Sequence, residues 1–366
     1  AKIKRVNKKT ESIMIGGTVR GQMTGSNRPY YYFNILEELD LPGEYYLDFQ
    51  TSVLYYYPKD GFENRGVDIS VSAETLFELD RAKNVVIENI DFTYCRDIAV
   101  KERKCRNTLI KNCSFNGIGT YAVQQISSDA SGLYGCDINQ TGAHSVMLEG
   151  GNLYTLTKSD NYVINTRIRN NGTRRHTYSG AVLSRGCGNY IYRSSFRDSE
   201  HMGVYVFGAQ HRIENCSFSN MCNMSGDAGC IYMAGCWYNA GTETIGNYFE
   251  NMSPHPEVHA GGNTAVYYDN STSHSVTYGN IMNDTVMAVM SNCGRYNRIY
   301  GNSFNAMKTS AGSIGAALNA GFMSPYDTMR MVPYAGQIWK EEIPEMSQLA
   351  YNYNPKKPIG TEVHNN

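Results

Sequence analysis

Hydrophobic residues in this chain recur in short bursts, not in long stripes. From Asn84 onward a pattern Ile/Val-x-Asn-x-x-Phe/Ile gives marks at Phe92, Phe115, Ile138, Ile168, Phe196, Phe218, Phe249, Ile281 and Phe304. The shortest steps between marks are 22–23 residues, and the longer steps read as the same unit with a loop inserted. A second series centres on Val123, Val146, Val182, Val204, Ile231, Val266 and Val289, each preceded by a small residue. Such bursts predict strands, and no stretch holds the helical period of about 3.6 residues. A strand-built repeat of this length predicts an all-β chain, a single-stranded parallel β-helix with three short strands and three turns per coil. A leucine-rich repeat of similar length would need a Leu framework, which is absent.

The two ends differ from this repeat. In residues 1–83, Glu37–Leu39 predicts one helical turn and Pro42-Gly43 a tight turn. Glu44–Asp48 and Val53–Tyr57 then predict an aromatic hairpin, read as a cap over the first coil. Coils are expected over 84–309. Residues 310–366 carry Pro325, Pro333, Pro344, Pro355 and Pro358 and predict an irregular segment packing on the helix. Lys2 to Lys9 reads as charged and irregular. The chain starts at Ala1, without a signal-like apolar segment, and closes through Lys356-Lys357-Pro358-Ile359-Gly360. Removal of a targeting peptide, an origin inside a longer protein, or a neighbouring copy over the solenoid ends is expected.

Within a coil, position assigns chemistry. Three residues before the mark stand Asn89, Asn112, Asn165 and Asn215, suited to a left-handed bend and to an amide ladder between coils. One residue later, Cys113 and Cys136 share a slot in consecutive coils, which leaves open a disulfide or a buried thiol ladder. After the central valines come Gln124, Met147, Leu183, Tyr205, Tyr232, Tyr267 and Met290. Small residues beside three successive tyrosines would form a trough for sugar rings; an aromatic ladder that only stiffens the solenoid is the alternative. His144, His201 and Asp227 lie at the entering end of these strands, and Glu149, Arg185 and Asp269 at the leaving end. His201 and Asp227 read as a general acid–base pair. Asp227 and Asp269 can act together only if the turns fold inward, because an extended strand would hold them about 20 Å apart. Asp227 also reads as an ordinary turn residue.

Composition narrows the partners. A net charge of −1 with 18% charged residues gives no basic footprint for nucleic acid, and no apolar run reaches the length of a membrane span. The ten cysteines include no CxxC pair, and Cys222, Cys230 and Cys236 come nearest to a cluster, so no metal or cofactor is expected. An oxidising compartment with some disulfides fits better. Asn139, Asn171, Asn223, Asn251, Asn270 and Asn283 stand in glycosylation sequons, whereas the sequons at Asn112 and Asn215 read as structural.

The segments LPGEYYLDFQTSVLYYYP, GDAGCIYMAG, NTAVYYDNSTSHSVTYGN and IWKEEIPEM together resemble a large family of secreted right-handed parallel β-helix proteins. The resemblance covers essentially the whole chain. Its characterised relatives are carbohydrate-active: glycoside hydrolases similar to the α-L-fucosidase/xylanase and β-xylosidase families, with pectate-lyase-like enzymes further off. The resemblance implies an extracellular chain with a glycan as partner, and nominates Asp227 and Asp269 as the carboxylates; His201, placed in the coil before Asp227, is read beside them as a supporting acid–base group. Tyr205, Tyr232 and Tyr267 would bind substrate, flanked by Arg185, Glu149 and His144. Two departures stand out. The family commonly has Tyr-Leu-Asp-Asp-x-x-Ser-Gly where this chain places Asn270 second after Tyr268, and Gly-Arg where it has Gly235-Cys236. A glycoside hydrolase or a degenerate derivative is therefore expected, against a non-catalytic carbohydrate-binding or structural protein that self-associates through its solenoid ends.

Overall fold

The computed structural model describes residues 2–16, 32–64, 67–233, 236–252, 263–305, 314–317, 331–348 and 359–366. Two units divide at Asp68/Ile69. In the first, Lys2–Asn7 pairs antiparallel with Ser12–Gly16, where an irregular segment was expected. Alternation of Ile3 and Val6 with lysines and arginine suffices for a two-stranded ribbon, and a register shift between Ile3 and Arg5 disguises it in the sequence. The expected hairpin forms from Tyr45–Asp48 and Val53–Tyr56, after a 3-10 turn at Leu36–Glu38. Asn34 extends this hairpin with its side chain: Oδ1 accepts the Leu47 N–H at 2.8 Å and Nδ2 donates to the Leu47 carbonyl at 3.0 Å.

The second unit is a parallel β-helix of three sheets. The first sheet runs from Phe77–Asp80 to Ile314–Ala317 in ten strands, and the second from Val86–Glu88 to Glu362–His364, also in ten. The third runs from Asp91–Thr93 to Ser303–Asn305 in nine. Each coil visits the first, second and third sheet in turn, so every strand pairs with its equivalent one coil away.

The repeat works because identical slots stack. Phe92, Phe115, Ile138, Ile168, Phe196, Phe218 and Phe249 are successive partners in the third sheet. Phe196, Phe218 and Phe249 stack face to face at 4.8 and 5.0 Å. The next partner is Met282, not Ile281. A strand exposes alternate residues, so Met282 is buried while Ile281 is 44% exposed. In the first sheet the ladder Val100, Val123, Val146, Val182, Val204, Ile231, Val266 and Val289 is continuous.

Asn89, Asn112, Asn165 and Asn215 adopt φ of +59°, +50°, +49° and +53°, the left-handed bend their slot predicts. Gly246 fills this slot one coil after Asn215, and a Cβ there would lie 2.5 Å from the Asn215 Oδ1. The amide ladder stands one position later, where the strand has turned inward. Asn247 donates to Asn280 at 3.0 Å, Asn280 to Asn302 at 2.9 Å and Asn302 to Asn366 at 2.8 Å. Cys113 and Cys136 occupy earlier coils of the same slot, and no disulfide joins them; all ten cysteines are buried and outside any disulfide. Each Sγ has two carbonyls in reach of its one hydrogen: Cys113 those of Lys111 at 3.3 Å and Ile87 at 3.6 Å, and Cys136 those of Ile110 at 3.5 Å and Tyr134 at 3.7 Å. Thr166 and Ser194 bond to Ile164 and Tyr192 in the same manner, both at 3.0 Å, so the thiols do the work of hydroxyls.

The closing segment is more regular than its prolines imply. Helices α1 (Gln337–Glu342) and α2 (Pro344–Ser347) form an arm, with Pro344 in the first turn of α2, where no backbone N–H is needed. Trp339, Ile343 and Met346 bury against Leu156, Cys187 and Trp237, and the Trp339 indole donates to the Leu153 carbonyl at 3.0 Å. Glu362–His364 then adds the last strand of the second sheet. Pro325, Pro355 and Pro358 lie outside the described residues.

Candidate active site on the first sheet

Beside the valine ladder, Gln124, Met147, Leu183, Tyr205, Tyr232, Tyr267 and Met290 form one column on the outer face of the first sheet. Tyr205 and Tyr232 rings stand 5.6 Å apart, and Tyr232 meets Tyr267 edge-on at 5.3 Å. Tyr232 and Tyr267 are only 8% and 6% exposed, with Tyr205 half-buried. The expected trough of small residues is not there. Ala122, Ala181, Cys230, Ala265 and Ala288 belong to the interior cluster with the valines, and a Cβ on Gly203 would meet the Phe218 ring at 2.9 Å. Near the start of these strands the pairing skips this position, two consecutive residues are buried, and the first must be small.

The two aspartates are linked through crossed tyrosines. Tyr267 donates to the Asp227 carboxylate one coil back at 3.2 Å, while Tyr232 donates to Asp269 one coil ahead. A left-handed bend at Asp227, φ +53°, departs from the extended path, and its carboxylate meets the Tyr267 hydroxyl of the next coil. Asp269 also accepts from Asn292 at 2.9 Å and from Asn270 at 2.8 Å. Burial raises the Asp269 pKa above the ordinary carboxylate range and the negative charge of Asp227 adds to it, against the hydrogen bonds from Tyr232 and Asn292. Burial, together with these carboxylates, pushes both tyrosine hydroxyls far up, so they act as donors.

The histidines take other roles. His201 Nδ1 accepts the Tyr178 N–H at 3.1 Å, and among the described residues no hydrogen bond joins His201 to Asp227. His144 Nδ1 accepts the Gly180 N–H at 2.8 Å, its ring lying between Tyr121 at 5.8 Å and Tyr205 at 6.2 Å. Burial lowers both histidines to about 4, so each is a neutral ring, His201 anchoring the loop over 172–179 and His144 the start of the strand Gly180–Cys187 that follows it. Nδ1 of His201 is taken by the Tyr178 N–H, so that nitrogen is not available to Asp227. Glu149 and Arg185 are partners in register and form an ion pair at 3.1 Å, Arg185 being 49% exposed.

Asn292 was overlooked although its signal was available. It stands three residues after Val289, the slot of Glu149, Arg185 and Asp269 in their own coils. Tyr178 gave no such signal, because it sits in an inserted loop without a slot. Among the sequons, Asn171 is 1% exposed and closed to a glycan. Asn139 and Asn251 donate to Asn116 and Asn220 at 2.8 and 2.6 Å, and Asn283 donates to Tyr248 at 3.0 Å. Asn270 is engaged with Asp269, and Asn223 is half-buried.

No protein-family model matches the sequence, and no curated protein does. Among solved structures, a glycoside hydrolase aligns over 77% of this chain with a TM-score of 0.52 at 13% identity. The catalytic domain of a GH87 α-1,3-glucanase in complex with tetrasaccharides aligns over 66% of the chain at 9% identity with a TM-score of 0.42, over 55% of its own length. The chain spans 56% of the length of the first of these. The chain has the parallel β-helix fold, and shares it with a glycoside hydrolase.

Proposed function

We propose that this chain is a glycan-active β-helix protein that hydrolyses a glycosidic bond over the outer face of the first sheet. The crossed hydrogen bonds Tyr232–Asp269 and Tyr267–Asp227 carry this reading, because they hold two carboxylates in one cluster with unequal environments. Asp269, with its raised pKa, protonates the leaving oxygen as the glycosidic bond breaks. Asp227 supplies the second carboxylate, either attacking the anomeric carbon or activating a water that does. Tyr205, half-buried beside Tyr178, offers the ring face on which a sugar stacks. An extracellular location belongs to the same proposal and rests on the family resemblance.

A second reading has its own support. Asp269 is 6% exposed and already accepts from three side chains, which suits a derivative that binds glycan without cleaving it. Reducing-end release from a panel of plant, algal and host polysaccharides separates the two. Hydrolysis by the unaltered chain, lost about 100-fold or more in both Asp269→Asn and Asp227→Asn, supports the enzyme, and the anomer of the first product tells attack from water activation. Retention of a glycan without turnover supports the binder. Full turnover in either variant sinks the two-carboxylate scheme.

A further inference from the structure

The third sheet carries a trough that the aspartate cluster does not use. It encloses about 790 Å³, within the roughly 300–1,000 Å³ of small-ligand sites. Two outward columns floor it: Arg167, Ser195, Ser217 and Tyr248 are successive partners, and so are Arg197, Ser219 and Glu250. The serines are the reason a trough exists, since the same slots hold long side chains in the coils on either side. Tyr248 closes one end, its hydroxyl held by the Asn283 amide at 3.0 Å.

The charges here are arranged to receive something. Arg167 lies 3.7 Å from the Asp137 carboxylate, which it shares with Arg169 at 2.8 Å. Arg197 and Glu250 have no ion-pair partner among the described residues. They flank Ser219 two coil steps apart, about 9.6 Å at roughly 4.8 Å per step. Arg167 and Arg197 against Glu250 and Asp284 leave the lining without net charge, which favours a neutral ligand over a charged one. Guanidinium donors, carboxylate acceptors and serine hydroxyls suit vicinal hydroxyls, and a fixed phenol ring suits the apolar face of a pyranose.

We infer that the trough between Arg197 and Glu250 on the third sheet is a binding site for a neutral sugar unit, separate from the aspartate cluster of the first sheet. The inference stands whether or not the first sheet hydrolyses anything. It would let the protein hold a polysaccharide strand away from its reacting face.

Isothermal titration with maltohexaose, laminarihexaose, cellohexaose and xylohexaose, with trigalacturonate as the anionic control, tests it. The expected result is binding of at least one neutral hexamer. Arg197→Ala and Ser217→Trp, which fills the floor, each weaken that binding tenfold or more, and the double variant Asp227→Asn/Asp269→Asn leaves it unchanged. Both third-sheet substitutions are at outward positions, and an unaltered melting temperature verifies that the variants fold. Absence of binding to all four hexamers overturns the inference, as does undiminished affinity in both trough variants or preference for trigalacturonate. Loss of binding in the aspartate variant alone overturns it as well, while leaving the first-sheet reading intact.

Discussion

Glu102 lies fully buried between coils, where its Oε2 accepts from Thr108 at 2.8 Å and from the Gln125 amide at 2.9 Å. Burial raises its pKa, so the folded state binds a proton that the unfolded chain releases near pH ~4.3. The stability this group contributes is complete below that pH and is lost as pH rises through the raised folded value. Glu102→Gln keeps the shape without the charge. We expect it to stabilise the protein by about 1–3 kcal/mol at pH 8 and to be nearly neutral at pH 4. Urea unfolding at the two pH values checks this, and equal effects at both would refute it. The buried histidines act in the opposite direction. His144, His201 and His211 all have folded values lowered to about 4, each by burial. Their contribution is complete above the unfolded value near ~6.5 and is lost as pH falls towards 4. Unfolding free energy is expected to drop between pH 7 and pH 5 by up to about 2 kcal/mol per histidine. His211→Asn should remove about a third of that slope, and an unchanged slope would show that His211 titrates normally.

At the scale of a strand or turn, one slot decides how the second sheet bends into the third. Cys113, Cys136 and Cys216 hold that slot with their thiols within reach of the backbone carbonyls of Lys111, Tyr134 and Glu214. Burial pushes Cys136 up to about 11 and Cys216 to about 12, so both are protonated and inert at neutral pH. Three consequences follow for measurement. Dithiothreitol should leave the melting temperature unchanged, a thiol reagent should find all ten cysteines only after denaturation, and Cys113→Ser should cost less than about 1 kcal/mol. A fall in melting temperature on reduction would contradict the free-thiol ladder. The same slot explains what the sequence showed and concealed. Asn in the preceding position announced the bend, because few other side chains tolerate positive φ. The choice between thiol ladder and disulfide needed the side-chain direction, which spacing does not give.

For the molecule as a whole, a solenoid holds each coil only through its neighbours, so pieces added to its side can detach without unravelling it. The arm of α1 and α2 is such a piece. It docks through the buried Trp339 against Trp237 and Leu156, and brings a Glu345 carboxylate oxygen to 3.1 Å from the His274 Nδ1. Trp339→Ala removes about 3–5 kcal/mol of packing at this one contact. Limited trypsin digestion should then cut at Lys340 within the arm, while the main melting transition of the coils changes little. Resistance of Lys340 in the variant would mean that other contacts hold the arm, and collapse of the whole melt would mean that it is integral to the coils.

By itself the sequence determined the coil period, the stacking of the phenylalanine and valine slots, the left-handed asparagines and the outer tyrosine column. All of these are set by residues one coil apart that repeat in the same position, so a one-dimensional pattern contains them. Asp227 and Asp269 were legible as candidates but not as a cluster, because their link depends on hydroxyls that cross between coils. Tertiary structure alone decided that the small residues face inward, that His201 anchors a loop and His144 the strand after it, and that serines in two adjacent columns open a trough on another sheet. Those outcomes rest on which way a side chain turns at a corner and on which inserted loop lies over it. Periodicity is blind to both, since a repeat fixes where a residue sits along the coil and leaves its direction to the packing around it.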